Sequence, residues 1–186
     1  MERDNLFSRL LKDVAIRPYS KGNAEVEAKD DSPTGKPIIY INNDTYAGKA
    51  KEKMVKAEAL HLLKHKEPKL HRELYEAANR DPIYKKWAQD SYRIVTGQIP
   101  DPETGESVPE DKREKRDFEK WHKESRFDQV IGGYIMAGDP DIPTMRFWNR
   151  DNMRIGPELR GKFEKVRKEF DSYSFPKLGQ PPKLER

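Results

Sequence analysis

The chain has no cysteine. That excludes disulfide stapling, thiolate catalysis and any zinc site built on cysteine, and it fits a reducing compartment. Long apolar runs are missing too. No stretch approaches the roughly 18–20 residues needed to span a bilayer, and the N-terminus carries no apolar leader segment, so a water-soluble protein is expected. Hydrophobic residues make up only 34% of the 186, against 38% charged. A core can close only if those apolar positions are well patterned. The excess of one charge sign is small: 37 Lys and Arg against 33 Asp and Glu leave +4. Signs alternate closely, as in Lys112–Arg116 (KREKR) flanked by Glu110, Asp111, Asp117 and Glu119. Such a mixture solvates a face and gives no continuous phosphate track, which argues against nucleic acid as the main partner.

Fourteen prolines and eleven glycines concentrate outside the periodic runs, which points to a compact centre with extended ends. The expected fold class is α+β and mostly α-helical: a compact helical domain with a small strand element and extended N- and C-terminal arms. Residues 1–37 read as a short amphipathic helix followed by an irregular arm, 38–170 as the core and 171–186 as a proline-rich tail. In the core, Ile38–Ile41 (IIYI) favours a strand. A helix starting near Ala50 carries Met54, Ala57, Leu60, Leu62 and Leu63 on its apolar side until Pro68 interrupts it. Another begins around Leu70, and Asp81-Pro82 starts Ile83–Val95. Residues 96–109 form a polar loop, and a charge-rich helix is expected from about Glu110, anchored by Phe118, Trp121 and Phe127. Phe147 and Trp148 read as packing anchors. The last helix, Glu158–Phe170, aligns Leu159, Phe163, Val166 and Phe170.

The densest chemistry lies in Met54–Leu74, which holds three of the four histidines. Glu58 and His61 are three apart, and His61 and His65 are four apart. On an α-helix each such pair shares a side. Imidazoles and carboxylates that converge can bind zinc, with Glu58 free to act as a base on water. Glu124 and Asp128, four apart on the later helix, are the candidates for an oxygen ligand. Packing or salt bridging is the competing explanation for all five. His122, next to Trp121, reads as part of a solvated helix face.

The strand-like IIYIN run followed by a helix with Ala57-Glu58-Ala59-Leu60-His61 resembles the active-site layout of zincin-type metallopeptidases, whose helix carries H-E-x-x-H. The resemblance implies Glu58 as general base and His61 as second zinc histidine, while the first falls on Ala57. A zincin site would thereby lose a ligand, and water activation needs a correctly held metal. Glu124–Tyr134 (ESRFDQVIGGY) and Gly156-Pro157-Glu158-Leu159-Arg160 are similar to segments of small zincin-like proteins of tailed bacteriophages. The likeness covers roughly 38–170.

On this reading the chain is a phage structural or assembly protein, a pseudoenzyme on a degenerate zincin-like scaffold that needs no cofactor. It would reside in the virion after production in the host cytoplasm. Its arms would bind other virion proteins in a multisubunit assembly through Tyr19, Phe175, Pro176 and Leu178. The first alternative is a zinc-dependent peptidase or amidase with Glu58 as base and His61, His65 and Glu124 or Asp128 on the metal. The second is a nucleic-acid-associated accessory protein using Lys49, Lys51, Lys53 and Lys56 as a phosphate-contacting face.

Overall fold

A computed structural model describes residues 5–18, 27–29, 36–42, 46–142, 145–146 and 149–175. Phe147, Trp148 and the contact residues Tyr19, Pro176 and Leu178 lie outside them. The fold is α+β and mostly α-helical, with a small sheet. Its helices are α1 (Leu6–Leu11), α2 (Gly48–Ala59), α3 (Leu63–Lys66), α4 (Pro68–Arg80), α5 (Pro82–Val95), α6 (Phe118–Trp121), α7 (Phe127–Met136) and α8 (Pro157–Ser172); its strands are β1 (Ala15–Pro18), β2 (Glu27–Lys29) and β3 (Ile38–Ile41). The chain divides into two units, Met1–Leu62 with Lys165–Arg186, and Leu63–Glu164. The stretch 38–170 thus contributes to both.

In the first unit β3 is the central strand of a three-stranded sheet, order β1-β3-β2. It pairs parallel with β1, Ile16 opposite Ile39, and antiparallel with β2, Ala28 opposite Ile39. Adjacent Ile38 and Ile39 are both buried, so the strand is covered on both faces, as its continuous β-branched run requires. The first helix packs into this unit. Leu6, Phe7 and Leu10 are buried, the Phe7 ring meets Phe170 edge-on at 5.3 Å, and the Asn5 amide donates to Glu169 O at 2.9 Å.

Lys56 does not belong to a phosphate-contacting face. Its ammonium is buried, donating to the carbonyls of Phe170 at 2.6 Å and Tyr173 at 3.1 Å. Those carbonyls close the last turn of α8, where the helix dipole favours a cation.

In the second unit local chemistry explains most boundaries. Pro68 opens α4 because its missing N–H falls where a helix leaves donors unpaired anyway. The charge-rich helix expected from Glu110 is only one 3-10 turn, Glu110–Lys112. Helix resumes at Phe118, where the Asp117 carboxylate accepts from Lys120 N at 2.9 Å and caps the new start. Between these turns Arg116 donates to the Glu114 carboxylate at 2.7 Å, and Tyr92 Oη donates to Arg116 O at 2.8 Å. Arg150 satisfies the end of α7 by donating to the carbonyls of Tyr134, Ile135 and Ala137.

Candidate functional site

The polar groups most deeply embedded in the second unit gather around one irregular turn. Phe118, His122, Phe127 and Ile131 are spaced four, five and four apart. Five residues of α-helix rotate a side chain by about 140° and would throw the series off one face. The segment His122–Arg126 is instead π-helical, with Phe127 N donating to His122 O. The wider turn absorbs the extra residue and returns His122 and Phe127 to the core.

His122 is 2% exposed and Tyr84 is fully buried. Tyr84 Oη lies 2.6 Å from His122 Nε2. Phe118 stacks on the imidazole at 5.5 Å, while Tyr75 and Phe127 stand at 5.4 and 5.9 Å. Either tautomer leaves His122 Nδ1 buried without a hydrogen-bond partner among the described residues. Burial first, and the Arg126 charge second, lower the His122 pKa to about 4. At neutral pH the ring is therefore uncharged. Burial likewise raises the Tyr84 hydroxyl well above the ordinary phenol range. With both atoms inside the packing, this pair holds α5 to the π turn.

A second pair lies nearby. His71 Nε2 stands 3.5 Å from Asp128 Oδ1, with both side chains about nine-tenths buried. The His71 ring stacks on Tyr75 and meets Phe127 edge-on. The contact is long for a hydrogen bond.

Four of the five residues put forward for catalysis and metal binding fall in three separate pairs, and the fifth, His65, is exposed. Glu58 Oε2 meets His61 Nε2 at 3.6 Å, so that i,i+3 pair forms as expected. His65 is exposed on α3. A 3-10 turn, Leu60–Leu62, replaces α-helical rotation here, and a spacing of four no longer ensures a shared side. Glu124 is exposed and reaches Arg116 at 3.5 Å. Asp128 faces His71. Ala57, at the position of the first zincin histidine, is 6% exposed and packs in the core. Among the described residues no group of three or more His, Asp or Glu is placed to hold a metal ion.

His122 is the correction of largest consequence. Lys123 and Glu124 beside it are exposed, yet it is among the most buried polar residues. The signal available was its spacing of four from Phe118. Phe175, proposed as a partner contact, is half-buried with its ring edge-on to Tyr173 at 5.3 Å. No helix among the described residues is long and apolar enough to cross a membrane.

Comparison of the chain with known protein families, with curated proteins and with solved structures returns no match.

Proposed function

We propose that the chain is a non-catalytic structural or assembly protein of a tailed-bacteriophage particle, made in the host cytoplasm and bound to other particle proteins. One observation carries the non-catalytic part. The carboxylates that hydrolysis would need are each paired within the chain: Asp128 with His71 in the interior, Glu58 with His61, and Glu124 with Arg116 at the exposed surface. The particle assignment rests on the likeness of Glu124–Tyr134 and Gly156–Arg160 to segments of small phage proteins. Of the proposed contact residues, Phe175 is half-buried at the edge of the described chain, and Pro176 and Leu178 lie outside the described residues.

The test is quantitative mass spectrometry of density-banded particles from infected cells. The chain is expected at a fixed copy ratio to the major capsid protein, retained after a high-salt wash. Recovery only in the soluble lysate would overturn the assignment. Loss in the salt wash together with salt-dependent binding of purified chain to DNA would favour the nucleic-acid reading instead.

A further inference from the structure

Arg126 is a half-buried cation with no acid beside it among the described residues. Its guanidinium sits over the Trp87 ring at 5.2 Å, its Nη2 reaches Ser91 Oγ only at 3.5 Å, and its Nε is buried without a hydrogen-bond partner among the described residues. Burial lowers its pKa, opposed by the Tyr84 hydroxyl, and no carboxylate among the described residues takes part. A charge withdrawn from water in this way carries a desolvation cost that an acidic partner would offset.

Beside it, α5 leaves apolar surface open. Ile83 is 51% exposed, and Trp87 and Ile94 are half-buried. At 3.6 residues per turn these three fall within about 40° of one another, on a stripe that also carries Asp90, neutralised by Lys86 at 2.9 Å, and that flanks the face burying Tyr84 and Ala88. Arginine and tryptophan together in a partly desolvated patch are the residue types that dominate binding energy at protein interfaces. Aliphatic surface on both sides of Trp87 selects among anions: a phosphate backbone would satisfy Arg126 but leave Ile83 and Ile94 in water.

We propose that this stripe of α5, with Arg126 at its flank, is a docking surface for an acidic, apolar peptide segment of a partner protein. The carboxylate seats on the Arg126 guanidinium, and the aliphatic side chains cover Ile83, Trp87 and Ile94. The inference does not depend on the particle assignment, because binding is read on the purified chain.

The experiment selects short random peptides displayed on a surface against the full-length chain, then measures a fluorescein-labelled synthetic copy of the enriched sequence by anisotropy. Enriched peptides are expected to combine Asp or Glu with Leu, Ile or Phe. Arg126→Met and Ile83→Asp are each expected to weaken binding about tenfold or more. Arg126→Met is also expected to unfold at the same or a higher urea concentration than wild type, since it removes an uncompensated half-buried charge. A structural arginine would behave oppositely. The proposal is overturned if no peptide is enriched, if the enriched peptides lack an acid, or if Arg126→Met binds them unchanged. It also fails if that variant is destabilised, or if a single-stranded oligonucleotide displaces the peptide while inorganic phosphate at the same charge does not.

Discussion

Replacing Asp81 by alanine is expected to lower the unfolding free energy by about 3 kcal/mol, read from urea unfolding at neutral pH. The side chain is 8% exposed and sits at the junction of α4 and α5. Its carboxylate accepts from Ile83 N at 3.0 Å and Tyr84 N at 3.1 Å, which caps α5. It also accepts from Gly156 N, which fixes the chain immediately before α8. Losing an N-cap costs about 1 kcal/mol, and a buried N–H left without an acceptor costs about 1–3 more. The carboxylate also explains the glycine. A β-carbon at position 156 would come within 2.9 Å of Asp81 Oδ2 and 3.1 Å of its Cγ. Gly156→Ala should therefore be destabilising in wild type and less so in Asp81→Ala, the signature of coupled neighbours. A single Asp81→Ala variant within about 0.5 kcal/mol of wild type would contradict this assignment.

The second large effect is a loss of stability in mild acid that belongs to one residue. His122 has a folded pKa of about 4 against an ordinary value of 6.5. Between those values the unfolded chain binds a proton that the folded chain refuses, so stability falls as pH drops through this window. The expected loss between pH 7 and pH 4 is about 3 kcal/mol from this group. His122→Gln, which cannot titrate, should flatten that part of the profile. Glu114 acts elsewhere: its hydrogen bonds from Arg116 hold its pKa near 2, so it responds only in stronger acid. Urea unfolding of both proteins at several pH values separates the two. A profile equally steep in folded His122→Gln would place the acid response on another group.

These two predictions mark what the amino-acid sequence discloses and what it withholds. Asp81-Pro82 announces a helix start because capping is local chemistry, and α5 begins there. Leu159, Phe163, Val166 and Phe170 declare one face of α8, and all four are buried. The IIYI run declares β3, but its partners β1 and β2 come from weakly patterned segments whose pairing is long-range. The capture of Gly156 by Asp81 spans seventy-five positions and leaves no periodic trace. At the candidate site, spacing alone misled where helix geometry changes. A 3-10 turn undoes the expected alignment of His61 with His65, and a π turn creates the one that buries His122 with Phe127. Lys56 illustrates the same limit. In a lysine-rich stretch it reads as solvated, but the carbonyls that bury it lie more than a hundred residues away.

The central claim is that Glu58, His61, His71, His122 and Asp128 are taken up by partners within the chain's own fold. Elemental mass spectrometry of purified full-length protein, equilibrated with zinc and then dialysed, tests it most directly. The expected result is far less than one zinc per chain, unchanged in His61→Ala and Asp128→Asn. One zinc per chain that disappears in either variant would contradict the account and restore a metal centre to these residues.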